Sequence, residues 1–235
     1  MAPLSQDRAY VVHLRRYTDS RVILELLTLH SGIVHSVARV PGKRDRAKFE
    51  PFHPLSVEFF GTSELKTLRL CEPLSETAGR LTGVPLFCGL YLNELMQRLL
   101  RPGEPVPEIF SFYESVLHLL NLDAARADIE AALRGMEFFI LAQLGFGIDF
   151  ASCSTSGGAI DSDCFYHFEE SKGFALVASG VNLGASKVIP GRHLLALAKG
   201  DLSDVEVLRS AKYIARRALA PLLGDQPLKS RELFV

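Results

Sequence analysis

The chain has 235 residues, 48% hydrophobic and 23% charged, too apolar for a disordered chain and long enough for one or two domains with a sizeable core. No apolar run approaches the roughly 18–20 residues that span a bilayer, and the start shows no secretory pattern, so a soluble cytoplasmic protein is expected. Lys and Arg number 26 against 27 Asp and Glu, which excludes a uniformly basic nucleic-acid binder, yet residues 1–70 carry 11 against 7, net +4, and residues 71–235 carry 15 against 20, net −5.

The first 70 residues alternate with period two. Tyr10, Val12 and Leu14 share one face of a strand, Val22, Leu24 and Leu26 one face of the next, and Ile33 and Ser36–Val40 follow. Asp19-Ser20 and Ser31-Gly32 punctuate these runs as turns. Leu55–Phe60 and Leu65–Leu70 add two more strands around Gly61-Thr62-Ser63. Five short antiparallel strands suggest a small closed barrel, of which the OB-fold is the commonest nucleic-acid-binding type; other small barrels fit the count as well.

Helical spacing begins after Pro85. Leu86–Leu100 is the first helix and stops at Arg101-Pro102-Gly103. Pro107 opens a second, with Ile109, Phe110, Tyr113, Val116, Leu117 and Leu120 toward the core. Asp123 is the expected N-cap of a third, which buries Ile129, Leu133, Met136, Ile140 and Leu144 and ends at Gly145 as its C′ residue. Short connections predict three antiparallel neighbours. Residues 151–189 break the pattern, with a loop at Ser154–Gly158 and a hairpin of Cys164–Phe168 and Phe174–Ala178. Helices return at Gly191–Lys199 and Asp204–Leu223, the latter opening on a capping box, Ser203-Asp-Val-Glu206. The expected class is α+β: a five-stranded OB-fold barrel over 1–80, then an all-α bundle over 81–235 with a small insertion at about 151–189.

Nothing in the chain assembles catalytic chemistry. The seven His form no metal-binding spacing, Ser156-Gly157-Gly158 lacks a nucleophile elbow, and no phosphate-binding glycine loop occurs. Asp161 and Asp163 read as loop acids; a metal-dependent hydrolase using them with a His is the least supported alternative. No catalytic residue and no cofactor is therefore expected. Cys71, Cys88, Cys153 and Cys164 are irregularly spaced, which favours free thiols.

The basic residues say more. Arg39, Lys43, Arg44, Arg46 and Lys48 fall within ten residues after the third strand, opposed only by Asp45. Arg15, Arg16 and Arg21 surround the first hairpin turn, and Lys66 and Arg69 lie on the last strand. Projecting from one barrel face, these side chains neutralise phosphates and give salt-sensitive binding without sequence preference; the alternative is a merely solvated loop. Tyr10, Tyr17, Phe59 and Phe60 are candidates for base stacking, with one of the two Phe required in the core. Arg209, Lys212, Arg216 and Arg217 stripe the last long helix, either extending a nucleic-acid track or forming an ordinary exposed face. Arg134 lies near an apolar surface with Glu130 at i−4, fit for a helix salt bridge or for anchoring the carboxylate of a bound peptide.

Five ordered segments are familiar in their wording and spacing: Phe52-His-Pro-Leu55, Glu64-Leu-Lys-Thr-Leu-Arg69, Gly89-Leu-Tyr-Leu-Asn-Glu-Leu95, Leu144-Gly-Phe-Gly-Ile-Asp-Phe150 and Pro227-Leu-Lys-Ser-Arg-Glu-Leu-Phe234. Through them the chain resembles the bacterial RecO family of recombination mediators over nearly its whole length. The resemblance implies an OB-fold, a helical bundle and a zinc-ribbon-like insertion. It implies binding of single- and double-stranded DNA, annealing of complementary strands, and contact with the acidic C-terminal tail of the single-stranded-DNA-binding protein SSB. It also implies partnership with RecR in loading RecA onto SSB-coated DNA, without nucleotide hydrolysis, in the cytoplasm at the nucleoid. Arg134 aligns with the Arg of the family's pocket for the SSB tail. Zinc-binding members carry two C-x-x-C pairs where this chain reads Cys153-Ser-Thr-Ser156 and Asp161-Ser-Asp-Cys164, so no metal is expected here. The rival from another class is a protein–protein adaptor with an OB-like barrel that does not bind DNA.

Overall fold

The computed structural model describes residues 6–40, 42, 49–75, 80–177 and 187–234. Strands β1 (Asp7–Thr18), β2 (Arg21–Thr28), β3 (Gly32–Arg39), β4 (Leu55–Phe60) and β5 (Leu65–Pro73) close into a barrel in the order β1-β2-β3-β5-β4. Every pairing is antiparallel except β3 with β5. This is the architecture of an OB-fold. Alternation puts Ala9, Val11, Val22, Leu24, Leu26, Val34, Leu55, Val57 and Phe59 inside the barrel. The twelve-residue β1 joins both β2 and β4, and it bends through irregularities between Val11 and His13 and between Arg16 and Thr18. At the start of β3, Gly32 has a φ of 66°, and a Cβ there would lie 1.9 Å from the carbonyl oxygen of Glu104, so no larger residue fits.

The chain divides into two compact units. One runs to Asp123 and resumes at Pro227; the other is Ala124–Gln226. The first holds the barrel, α1 (Gly83–Leu99), α2 (Pro107–Leu120) and a C-terminal 3-10 helix (Lys229–Phe234). Pro107 stands at the first turn of α2, and all six core positions expected on that helix are buried. Phe110 and Tyr113 cover Tyr10 on the outside of the barrel, with ring centroids 5.4 Å away in each case.

The second unit holds α3 (Arg126–Gln143), strands β6 (Phe165–Glu169), β7 (Gly173–Leu176) and β8 (Val188–Pro190), α4 (Gly191–Ala198) and α5 (Val205–Leu223). Its core is the Phe168–Phe174–Ile189 face of the small sheet packed with Leu194, Val207, Ala211 and Ile214. The expected hairpin is present, with Phe168 opposite Phe174, and β8 adds a third strand that the periodicity did not reveal because it is only three residues long.

Three local expectations are corrected. The helix after Asp123 starts at Arg126 behind an extended Ala125, with no side-chain cap, so Asp123 stands two residues before the cap position. The cap of α5 is Asp204, whose carboxylate accepts from the backbone N–H groups of Glu206 and Val207 at 2.6 and 3.3 Å; Ser203 instead turns back onto Asp201. The three consecutive helices are not one antiparallel set: α1 packs with α2 in the first unit, whereas α3 finds its helical neighbour in α5. The end of α3 follows expectation. Gly145, at φ 84°, gives its N–H to Ala142 and Phe146 gives its N–H to Leu141, the paired bonds of a Schellman motif.

Candidate nucleic-acid interface

Strand register decides which cations meet. Arg21 on β2 is the cross-strand partner of Arg39 on β3, and Arg15 on β1 is the partner of Ile23, two residues along β2 from Arg21. Residues two apart share a face, so Arg15, Arg21 and Arg39 stand together on the outside of the barrel. Arg16, the partner of Val22, projects from the other side of β1 and is exposed. The Val40 N–H donates to Ser20 O at 2.9 Å, which ties the start of the β3–β4 connection to the β1–β2 turn. None of these four Arg has a carboxylate partner among the described residues. Like charges placed directly opposite repel, so the arrangement opposes folding rather than serving it.

On β5, Lys66 donates from Nζ to Gly61 O at 3.3 Å, and Arg69 lies 3.9 Å from Glu58. Lys43, Arg44, Arg46 and Lys48 lie outside the described residues.

The aromatic candidates separate cleanly. Phe59 is 4% exposed and lines the barrel core, whereas Phe60 is 51% exposed and Tyr17 is 54% exposed. Tyr10 is not available to a base: it is buried against α2 and its hydroxyl donates to Glu114 at 2.9 Å. Burial first, then that bond and the charge of Glu114, push its pKa well up. The sequence carried a signal for this division, since Leu55, Val57 and Phe59 alternate inward and leave Phe60 outside.

The stripe on α5 is largely neutralised within its own unit. Arg209 pairs with Glu206, Lys212 with Glu130 at 3.3 Å, and Arg217 with Glu170 at 3.0 Å; Arg216 is exposed with no carboxylate partner among the described residues. These carboxylates are the part that sequence reasoning missed. Glu206, one turn before Arg209, was visible as an i, i+3 pair, but Glu130 and Glu170 come from other elements.

Arg134 is also placed differently from the simplest expectation. Its partner is Glu137, at 2.6 Å, not Glu130, and the two side chains are 6% and 1% exposed. Lys212 has taken Glu130. Arg134 Nε is buried with no hydrogen-bond partner among the described residues.

In the insertion, the residues do not fit a closed zinc site. Only two thiols are available, and no group of three His, Cys, Asp or Glu among the described residues is disposed to hold a metal ion. The non-cysteine residue of each pair, Ser156 in one and Asp161 in the other, hydrogen-bonds the remaining thiol. Burial raises the Cys153 thiol pKa, but the Ser156 hydroxyl and backbone N–H groups of Ser156, Thr155 and Leu176 bring it down to about 7. Burial, the charges of Asp161 and Asp163 and a hydrogen bond to Asp161 keep the Cys164 thiol protonated.

Comparison with known proteins decides the lineage. The model for the recombination protein O N-terminal domain matches residues 1–77, and that for its C-terminal domain matches residues 80–232. The chain belongs to the RecO family. DNA repair protein RecO of Klebsiella pneumoniae strain MGH 78578 is 42% identical over 97% of this chain and 91% of its own length. That of Enterobacter sp. strain 638 is also 42% identical, over 97% and 95%, and that of Escherichia coli O139:H28 is 41% identical, over 97% and 93%. RecO membership fits the barrel-first order and gives the Arg face a context in repair. Among the described residues no helix is long and apolar enough to cross a membrane.

Proposed function

We propose that this RecO-family chain is a DNA repair protein that binds single- and double-stranded DNA without catalysis and anneals complementary strands. The observation that carries the reading is the group of Arg15, Arg16, Arg21 and Arg39 at one end of the barrel, without carboxylate partners among the described residues, where the connection bearing Lys43, Arg44, Arg46 and Lys48 begins. Such a face recruits phosphates and releases counterions. Engaging four phosphates of a single strand corresponds to a slope of about −3 in log affinity against log salt. Two backbones held beside one basic face repel less, and base pairing supplies the driving energy for annealing.

In this reading the helical body docks proteins. Arg134 receives the acidic C-terminal tail of SSB, which brings SSB-coated DNA to the barrel by effective concentration, and RecR acts with the complex to load RecA. The site of action is the cytoplasm, at the nucleoid.

Annealing of complementary oligonucleotides across a salt series tests the proposal. Acceleration that fades with salt, and that falls on charge reversal of Arg44 and Arg46, is the expected result. No acceleration, together with no oligonucleotide binding by anisotropy, would replace the reading with that of a protein–protein adaptor.

A further inference from the structure

A continuous row of side chains crosses the outside of the barrel. Phe60 on β4 is partnered with Thr67 on β5, Thr67 with Val37 on β3, Val37 with Ile23 on β2, and Ile23 with Arg15 on β1. Four inter-strand steps make the row about 19 Å long, measured around the curved barrel surface. Phe60 and Thr67 at one end and Arg15 at the other are exposed, Val37 is half-buried and Ile23 is buried. The Arg21–Arg39 pair stands about 7 Å along the strands from the middle of the row. On the other side runs His13, Glu25 and His35, continued by exposed Leu65. Glu25 faces His35 at 3.9 Å and Glu58 faces Arg69, so neither carboxylate is paired with Arg15, Arg21 or Arg39.

We infer that Phe60 is the base-stacking platform of this face, and that a single strand of DNA crosses β4, β5 and β3 with one base on the Phe60 ring and its phosphates on Arg21 and Arg39. The inference rests on the DNA-binding reading above and adds to it the residue that distinguishes single strand from duplex. Arg side chains attract the phosphates of either form. A half-exposed ring held on a strand offers a flat apolar surface that only an unpaired base can cover, because duplex bases already stack on each other. The occupant is nucleic acid rather than a second copy of the chain because the apolar end of the row is continuous with three Arg that lack carboxylate partners among the described residues. Two copies meeting on this face would bring like charges together.

Anisotropy with a labelled oligothymidylate and with a labelled hairpin duplex, each over a salt series, tests this. Phe60→Ala should weaken single-strand binding by roughly 5- to 100-fold, leave the duplex affinity near wild type, and leave the salt slope unchanged. Arg39→Gln should weaken both and reduce the single-strand slope by about 0.7. The chain contains no Trp, so Phe60→Trp installs its only indole, whose fluorescence should be quenched by oligothymidylate and not by the duplex. Wild-type single-strand affinity in Phe60→Ala, an equal loss on both forms, or an unquenched indole in a protein that still binds would overturn the stacking role while leaving DNA binding intact. A concentration-dependent mass of the wild type that Phe60→Ala abolishes would assign the face to self-association instead. Absence of any oligonucleotide binding by the wild type would overturn the broader reading, and this one with it.

Discussion

Arg21 and Arg39 face each other across β2 and β3, two cations in direct cross-strand register with no carboxylate partner among the described residues. A sheet selected for stability alone would place an opposite charge at one of these positions. Removing one charge should therefore separate stability from function. Arg39→Gln is expected to raise the stability of the barrel by about 0.2–1 kcal/mol, read from urea or thermal unfolding, while reducing affinity for DNA. A variant that loses stability would show that Arg39 holds the barrel together by some other contact.

Tyr10 provides the complementary test. Its hydroxyl is fixed by Glu114, which also pairs with Arg8, and its ring packs against Phe110 and Tyr113. Tyr10→Phe leaves the ring packing and removes one hydrogen bond to a charged group, a loss of about 1.5–3 kcal/mol. Single-strand affinity should not change under conditions where the protein remains folded. A fall in affinity without a fall in unfolding midpoint would return Tyr10 to the binding face.

These two cases show what was legible in the sequence. Period-two alternation located all five barrel strands and required one of Phe59 and Phe60 in the core; the structure puts Phe59 there. The segments that carry the family resemblance turn out to be joints of the fold. Gly89 leaves room for the Phe52 ring, since a Cβ would approach Phe52 to 2.7 Å, and Gly145 closes α3. What alternation did not supply was register. Whether Arg21 meets Arg39, whether Lys212 or Arg134 takes Glu130, and whether Tyr10 faces solvent or α2 all depend on partners from other strands and helices. The bland face of the α5 stripe was hidden for the same reason.

Glu94 gives a pH-dependent prediction. Burial raises its pKa, but this is outweighed by the hydroxyl and N–H of Ser230, the N–H of Lys229 and the charge of Arg98, so the net shift is downward from 4.5. The carboxylate thus caps the first turn of the C-terminal 3-10 helix, with contacts of 2.5–2.9 Å. A group whose pKa is lowered by folding stabilises the native state above its ordinary value, and that contribution is lost as pH falls below 4.5 through the folded-state value. Unfolding of wild type and Glu94→Gln should therefore differ most near neutral pH and converge in acid. A difference that stays constant with pH would argue against the carboxylate.

Cys153 offers a chemical readout of the insertion. With its pKa down to about 7, the thiol is about half ionised at neutral pH, yet it is only 4% exposed. Ser156→Ala removes the hydroxyl donor and should move the titration of Cys153 upward, followed by the pH dependence of its alkylation against a Cys153→Ser control. The rate should remain slow throughout because access depends on local opening. An unchanged titration would mean that the backbone N–H groups suffice.

The pair of Arg134 and Glu137 bears on the proposed contact with an acidic peptide. At 2.6 Å and nearly without exposure, Glu137 already supplies a carboxylate to the guanidinium, so an incoming carboxylate must compete with it. Removing Arg134 alone takes the guanidinium away from a buried acid and destabilises the helix around it. Arg134→Ala is therefore a poor test by itself, because lost peptide binding would be confounded with a loosened helix. Glu137→Gln is more discriminating: it keeps the side-chain volume and a hydrogen-bonding oxygen while removing the competing charge. If Arg134 receives the SSB tail, titration with a tail peptide should show tighter binding to Glu137→Gln than to wild type, and weaker binding at high salt. If Arg134 serves only to neutralise Glu137, the variant should change stability without improving peptide affinity.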